Sequence, residues 1–81
     1  MFYVYVIKST IDNYIYVGHT NDLKERISEH NNGKVESTKH RRPFTIIYYE
    51  ACNFLEDAIK REKSLKTGFG RAYLKRRLKD I

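Results

Sequence analysis

The chain has 81 residues, which is enough for one small domain and too few for two. Its 16 Lys and Arg against 10 Asp and Glu give a net charge of +6. Polyanions are therefore the expected partners, nucleic acid first and an anionic membrane surface second. A protein that is basic without a polyanionic partner is the alternative on charge alone.

Cys52 is the only cysteine, which excludes an intrachain disulfide and a cysteine-based zinc site. Its position at the end of an apolar run predicts a buried thiol. The apolar run at residues 2–7 is far too short for a secretion signal or a membrane-spanning helix. We therefore expect a cytoplasmic protein with no membrane partner, folded as one domain over residues 1–81.

Two β-strands are predicted at the start of the chain. Residues 2–7 are dense in aromatic and β-branched side chains, residues 10–13 are turn formers, and residues 14–17 form a second strand that ends near Gly18. Both strands are apolar on both faces, so their sheet is expected to be covered on at least one side.

The first helix has clear local signals. Asp22 and Glu25 have the spacing of a capping box, and Gly33 is a typical helix stop. The pattern predicts a helix from Leu23 to Asn31, followed by a polar, basic loop.

One strand and two helices are predicted in the second half. The third strand covers residues 44–49, and Asn53 is the expected N-cap of a helix ending near Lys66. Residues 67–70 interrupt the helical pattern before a short helix over residues 71–79. The order ββαβαα predicts an α/β fold, with a small three-stranded, mainly antiparallel sheet flanked by three helices.

Glu62 lies in the middle of an apolar helix face made by Leu55, Ala58, Ile59 and Leu65. A buried carboxylate without a partner is costly. Glu62 is therefore expected to pair with Arg or Lys, to bind a metal ion, or to reach solvent at the edge of the face. The spacing alone is compatible with all three.

Arg26 and His30 are one helical turn apart, beside the inward face made by Leu23 and Ile27. The spacing predicts that both side chains project from the edge of the core. Two polar positions without a function on an amphipathic helix explain the same pattern.

The relation between Tyr5 and Tyr16 depends on the register of the first hairpin. If Lys8 pairs with Asn13 across a four-residue turn, the two tyrosines lie directly opposite each other on one face. A slip of one residue separates them. A site that uses both phenol groups requires the first arrangement.

The triplets Tyr3-Val4-Tyr5 and Tyr16-Val17-Gly18, followed by Arg26, His30 and Glu62, resemble the signature of the GIY-YIG nucleases. Tyr replaces the leading Gly of the first triplet, and Val replaces Ile in both. The stretch after Glu62 is similar to small stand-alone bacterial members, which are relatives of the nuclease module in the excision-repair incision subunit.

The resemblance implies a metal-dependent DNA endonuclease. Glu62 would hold one Mg²⁺ or Mn²⁺ ion. Tyr16 would orient or deprotonate the attacking water, Tyr5 would bind that water or the scissile phosphate, and Arg26 would neutralise charge on the phosphoryl oxygens. His30 would relay the tyrosine proton or bind phosphate. No small-molecule cofactor is implied.

Two positions depart from the family pattern. His19 stands where several relatives have Lys, and the Asn found near the end of some members has no clear counterpart after Gly70. A non-catalytic nucleic-acid-binding module is the alternative function. A structural domain, in which Glu62 and Arg26 form a buried ion pair, is a third hypothesis.

Basic side chains are expected to hold DNA through its phosphates, without reading its sequence. The alternative is that they simply solvate exposed helix faces. We expect structure-selective or weakly specific cleavage of branched, flap or nicked DNA, in repair or recombination. The candidate contacts are His19, Lys39, Arg41, Arg42, Lys63, Lys66 and Arg71.

Overall fold

A computed structural model describes residues 1–79 of the chain. The elements are β1 (Phe2–Ser9), β2 (Ile15–Thr20), α1 (Leu23–Asn31), a 3₁₀ turn (Lys39–Arg41), β3 (Phe44–Cys52), α2 (Leu55–Leu65) and α3 (Gly68–Arg77). The predicted α/β fold is confirmed, and the sheet is antiparallel at both of its strand pairs, in the order β2-β1-β3.

The helices cover both faces of the sheet. On one face, Tyr5, Ile7 and Phe44 form a buried cluster against α1. On the other face, Val4, Val6 and Val17 pack against α2 and α3. Successive residues of β1 alternate between the two clusters, so burial on both sides explains why this strand is apolar throughout.

The hairpin register is neither of the two arrangements that the sequence left open. Lys8 pairs with Ile15, not with Asn13, so Tyr5 lies opposite Gly18 and Tyr16 lies opposite Ile7. The register differs by two residues from the one in which Tyr5 lies directly opposite Tyr16. A shift of two residues keeps both tyrosines on the same face, because side chains alternate with a period of two.

Hydrogen bonding in the turn explains why the loop between β1 and β2 is longer than four residues. The backbone N–H of Ser9 donates to the Tyr14 carbonyl at 2.8 Å, and Asn13 has a left-handed backbone with φ of 63°. Asn is one of the residues that tolerate this conformation. Tyr14 therefore belongs to the turn and not to β2.

Helix α1 has the predicted bounds, and the Asp22 side chain accepts a hydrogen bond from the Glu25 backbone N–H. The predicted cap of α2 is wrong: Phe54 is at the N-cap position, without a side-chain bond, and α2 begins at Leu55. Cys52 is partly buried at the end of β3.

The segment expected to interrupt the helical pattern begins α3. Thr67 Oγ1 accepts a hydrogen bond from the Gly70 backbone N–H, which caps the helix. A Cβ atom on Gly70 would lie 2.2 Å from the Ser64 carbonyl oxygen and 2.4 Å from the Leu65 Cα. Glycine is therefore needed here because α3 packs directly on the last turn of α2.

Candidate active site

Tyr5 is buried at the centre of the sheet face covered by α1, with 1% of its surface exposed. Its phenol lies over Gly18, the residue opposite it on β2. A Cβ atom on Gly18 would lie 2.5 Å from Tyr5 Oη and 3.1 Å from Tyr16 Cε2. Gly18 therefore provides the space that the Tyr5 hydroxyl occupies.

Tyr5, His30 and Thr38 form a buried hydrogen-bonded chain. Tyr5 Oη is 2.8 Å from His30 Nε2, and His30 Nδ1 is 2.7 Å from Thr38 Oγ1. The Thr38 hydroxyl donates to the Val35 carbonyl at 3.5 Å. Because Thr38 then accepts from His30, the imidazole carries its proton on Nδ1, and Tyr5 donates to Nε2.

Both ends of the Tyr5–His30 pair are neutral near pH 7. Burial, followed by the positive charge of Arg26, lowers the pKa of His30 to about 4. Burial raises the pKa of Tyr5 to about 12, although a hydrogen bond with Arg26 opposes this shift. Tyr5 is therefore held as a neutral phenol.

Arg26 connects this pair to solvent. Burial lowers its pKa, but hydrogen bonds to Glu29 and to Tyr5 outweigh that effect, so the guanidinium stays charged. Arg26 Nη1 donates to Glu29 Oε1 at 3.0 Å, and about a third of each of these two side chains is exposed. The guanidinium thus has one side on the buried phenol and another at the surface.

Tyr16 is the outer tyrosine of the site. Its ring centroid lies 6.4 Å from that of Tyr5 and 5.0 Å from that of His30, and its side chain is only partly buried. The structure therefore brings four of the predicted residues together on one face, in two layers, with Tyr5 and His30 inside and Tyr16 and Arg26 outside.

Glu62 belongs to a second group, on the other face of the sheet. Its Oε1 is 2.5 Å from His19 Nδ1, and its Oε2 accepts from Lys66 Nζ at 2.7 Å. Burial on its own would raise the pKa of Glu62. The hydrogen bonds from Lys66 and His19 outweigh that effect and hold the pKa below its usual value, so the carboxylate is ionised at neutral pH. Glu62 does not pair with Arg26, and the hypothesis of a buried ion pair between them is wrong.

The two groups meet at β2, which lies at the edge of the sheet. Gly18 and His19 are consecutive, so they face the α1 side and the α2 side respectively. The charge of Glu62 contributes to the raised pKa of Tyr5, which shows that the groups interact through space. An open cleft of about 570 Å³ is lined by Arg26 from one group and His19 from the other.

The cleft carries more carboxylates than cations. Asp22, Glu25 and Glu29 line it together with Arg26 and His19. A phosphate that enters the cleft therefore meets net negative charge unless a cation accompanies it.

Glu62 could hold a divalent metal ion only as a single carboxylate ligand. In residues 1–79 no group of three or more His, Cys, Asp or Glu side chains is arranged to hold a metal. Glu62 is ionised, but both of its oxygens already contact cationic or polar partners. A single carboxylate, completed by water and phosphate oxygens, is a normal donor set for Mg²⁺.

The predicted DNA-binding residues fall into two regions. Arg41 pairs with Asp12 at 2.5 Å and stacks over the Tyr14 ring, at the hairpin end of the sheet. The Arg41 carbonyl accepts a hydrogen bond from the Ser9 hydroxyl, at one end of β1. Val4, which pairs with His19, lies five residues away on the same strand. Arg41 and His19 are therefore separated by roughly 17 Å of strand.

The neighbours of Arg41 are also engaged locally. Lys39 Nζ lies 3.2 Å from Glu36 Oε1, and the Arg42 guanidinium packs on the Cα of Gly33, which has a φ of +75°. By contrast, Lys63, Lys66 and Arg71 are exposed on α2 and α3, and Lys66 reaches the Glu62 carboxylate itself.

Sequence reasoning missed Thr38, which is fully buried and holds His30. It lies in a polar loop, eight residues after His30, and no periodic spacing connects it to the site. It also missed the pairing of His19 with Glu62, because the two residues are 43 positions apart.

Residues 1–79 match the family model of the GIY-YIG catalytic domain. The chain belongs to the GIY-YIG family.

Its relatives are small bacterial proteins named UPF0213. The chain is 39% identical to one from Staphylococcus saprophyticus over 66 residues, covering 80% of this chain and 79% of the relative. It is 41% identical to one from Staphylococcus haemolyticus over the same length and coverage. A Streptococcus pyogenes relative is 38% identical over 65 residues, which cover 79% of this chain and 70% of that protein.

No solved structure is significantly similar to the chain. Within the described residues, no helix has the length and apolar character needed to cross a lipid bilayer.

Proposed function

We propose that the protein is a DNA endonuclease that hydrolyses phosphodiester bonds with the help of one Mg²⁺ or Mn²⁺ ion. The observation that carries this proposal is the cleft at the edge of β2, which is lined by Arg26 and by His19. Arg26 is hydrogen-bonded to Tyr5, and His19 is hydrogen-bonded to the ionised Glu62 behind it. A guanidinium in the cleft, with a carboxylate one hydrogen bond beyond it, suits a phosphate and its counter-cation.

The burial of the side chains supports distinct roles for the two tyrosines. Tyr16 is accessible, so it is the phenol that orients the attacking water. Tyr5 is buried and neutral, and its hydrogen bonds with His30 and Arg26 position the guanidinium. Arg26 binds the scissile phosphate and stabilises the charge on its oxygens, which is where a preorganised cation contributes most.

Glu62 would hold the metal ion, with His19 and Lys66 adjusting around it. When bound there, a divalent ion neutralises the phosphate and lowers the pKa of a coordinated water. Lys63, Lys66 and Arg71 would contact neighbouring phosphates without reading sequence. DNA repair or recombination, in the cytoplasm, is the setting that we infer from the family.

The test is nicking of supercoiled plasmid and of flap, branched and continuous duplexes, each with Mg²⁺, Mn²⁺ or a chelator. We expect cleavage with either ion and none with the chelator. Tyr16→Phe and Glu62→Gln should each abolish it. Cleavage that persists with the chelator, or in both variants, contradicts the proposal.

A non-catalytic DNA-binding module is the second candidate. The observation that favours it is that the charged groups of the site are paired with each other, Arg26 with Glu29 and Glu62 with His19 and Lys66. This candidate predicts DNA binding that Glu62→Gln leaves unchanged, with no cleavage under any metal condition.

A further inference from the structure

Phe69 is the most exposed large apolar side chain in residues 1–79, with 90% of its surface in solvent. It lies in the first turn of α3, between Gly68 and Gly70. A ring this exposed has little contact with the rest of the chain, so folding does not account for it. An aromatic ring that remains in water offers a flat apolar face to a partner.

The backbone beneath Phe69 is held firmly. Thr67 caps the first turn of α3, and Gly70 lies against the backbone of Ser64 and Leu65 at the end of α2. Because consecutive helical residues differ by about 100° in direction, a side chain next to Gly70 points away from α2. The ring therefore projects from a packed helix–helix corner and not from a loose loop.

The sequence around Phe69 is strongly cationic. Residues 63–79 contain seven Lys and Arg and no Asp or Glu. Lys63, Lys66 and Arg71 are near Phe69 in the chain, and all three are exposed. A single apolar ring among cations fits a partner that has a flat apolar face and a regular negative charge, which is the chemistry of a nucleobase and its phosphates.

An anionic membrane surface fits less well. Helices that bind in a lipid interface present several apolar residues on one face. In α3, Leu74 is buried in the core and the Tyr73 hydroxyl is hydrogen-bonded to that of Tyr48, so Phe69 projects alone. Gly68, its neighbour, has no side chain to widen the apolar surface.

Phe69 is near the proposed metal ligand along the chain. Lys66 bonds to Glu62, and Phe69 follows Lys66 by three residues, so the Cα atoms of Lys66 and Phe69 are at most about 10 Å apart. The ring and the Glu62 carboxylate therefore both belong to the region where α2 ends and α3 begins.

We propose that Phe69 stacks on an unpaired or end-exposed base, and that this contact directs the protein to nicks, flaps and branches. The position of the cut relative to the stacked base rests on the proposed function. The binding of Phe69 to a base does not depend on it. Bases inside a continuous duplex already have neighbours on both faces, so the ring finds a free face only where the stack is interrupted.

The experiment measures binding of the full chain to a labelled 5′-flap duplex and to a continuous duplex of the same sequence, in a chelator that prevents cleavage. Phe69→Ala should weaken flap binding about 10-fold or more, in line with the loss of one base stack, and duplex binding less than 2-fold. Phe69→Trp should retain flap binding, and Phe69→Leu should not, because Leu is apolar but not planar.

Phe54→Ala is the matched control. Phe54 is 67% exposed, and it precedes the acidic residues Glu56 and Asp57. This substitution should leave flap binding unchanged. Phe69→Ala should also leave the slope of log affinity against log salt unchanged, since no charge is lost, whereas Arg71→Ala should reduce it by roughly 0.7 to 0.9.

A 2-aminopurine placed at the flap junction reports stacking directly. Its fluorescence should be quenched by the wild-type chain and not by Phe69→Ala. Equal flap binding by the Phe69→Ala and Phe54→Ala variants overturns the inference. So does a Phe69→Ala variant that loses binding to phosphatidylserine vesicles but keeps flap binding, because the surface is then a lipid surface.

Failure of the two proposals can be distinguished. If the chain never cleaves DNA but its flap binding depends on Phe69, the stacking inference stands and the nuclease proposal fails. If it cleaves with Mg²⁺ and Phe69→Ala binds and cleaves flaps like the wild type, the nuclease proposal stands and the stacking inference fails. A chain that binds no DNA contradicts both.

Discussion

The Tyr5 hydroxyl donates to His30 Nε2 at 2.8 Å, and both side chains are almost completely buried. This contact separates the two tyrosines of the site by role. Tyr5 belongs to the buried framework that contacts Arg26, whereas Tyr16 is partly exposed, on the side where the proposed substrate would bind.

Removal of the hydroxyl should therefore mainly reduce stability at Tyr5 and mainly reduce cleavage at Tyr16. Tyr5→Phe leaves the buried His30 Nε2 without its donor, so it should lower the free energy of unfolding by about 1–3 kcal/mol. Tyr16→Phe should change it by less than about 0.5 kcal/mol and yet reduce cleavage about 100-fold or more. Urea unfolding and single-turnover cleavage measure the two quantities. A Tyr16→Phe variant that unfolds more easily than Tyr5→Phe contradicts this assignment.

Stability should depend on pH through His30. Its pKa is lowered to about 4 in the folded chain from 6.5, so the unfolded chain binds more protons between these values. The contribution of His30 is complete above about pH 6.5 and is lost as pH falls towards 4. The loss should be about 3 kcal/mol at most. Urea unfolding at pH 7 and pH 5 measures it.

The control for this pH dependence is His30→Gln, which keeps a polar side chain but does not titrate. The difference between pH 7 and pH 5 should shrink in this variant relative to the wild type. An identical difference in both proteins would assign the acid sensitivity to other groups.

Thr38 should fix the protonation of the imidazole. Thr38→Val removes the hydroxyl that accepts from His30 Nδ1, which leaves a buried N–H unpaired and should cost about 1–3 kcal/mol of stability. The imidazole then no longer prefers the proton on Nδ1. Nitrogen NMR chemical shifts of His30 report the change of tautomer, and cleavage should fall with it.

Thr38→Ser retains the hydroxyl, so it should keep the wild-type tautomer and most of the activity. If Thr38→Val leaves the His30 nitrogen shifts unchanged, the hydroxyl does not set the tautomer.

Local signals in the sequence predicted α1 well, because its cap, Asp22, and its partner, Glu25, are three residues apart. The register of the hairpin was predicted less well. Turn propensity marked residues 10–13, but the Ser9–Tyr14 hydrogen bond that closes the loop depends on how the strands twist together. Whether Tyr5 and Tyr16 share a face was left open by the sequence, and the observed register places them on the same one.

Contacts between segments that are far apart in the chain could not be predicted from the sequence. Gly70 was interpreted as a helix breaker, because its contact with Ser64 and Leu65 exists only once α3 packs on α2. The partners of Glu62 were left open for the same reason, since His19 comes from another element. The family resemblance assigned Tyr5, Tyr16, Arg26, His30 and Glu62 to one site, but it did not predict that the sheet separates them into two groups.

Gly18 should tolerate no side chain. Gly18→Ala introduces a Cβ atom 2.5 Å from Tyr5 Oη, and His30 behind the phenol prevents it from retreating. We expect a loss of about 1–3 kcal/mol of stability, the usual cost of overpacking, together with a loss of cleavage. Thermal unfolding gives the stability change.

Gly68→Ala is the matched control, since a Cβ atom there meets nothing within 4 Å. Its stability should be unchanged or higher by up to about 1 kcal/mol, because Ala favours the helix. In the double variant with Tyr5→Phe, part of the Gly18→Ala cost should disappear, because the clashing oxygen is gone. Equal effects of Ala at Gly18 and Gly68 would contradict the close approach of the phenol.

Glu29 should restrain Arg26 until substrate displaces it. Glu29→Gln removes the carboxylate that pairs with the guanidinium at 3.0 Å. An exposed pair of this kind contributes about 0.2–1 kcal/mol, so DNA binding in a chelator should tighten by up to about 5-fold.

Glu25→Gln removes a charge from the same cleft without releasing Arg26, and its effect should be smaller. In an Arg26→Gln background the advantage of Glu29→Gln should vanish. Fluorescence anisotropy with a labelled flap duplex measures the affinities of the wild type, the three single variants and the double variant. Equal gains from Glu25→Gln and Glu29→Gln would indicate general repulsion in place of a specific restraint.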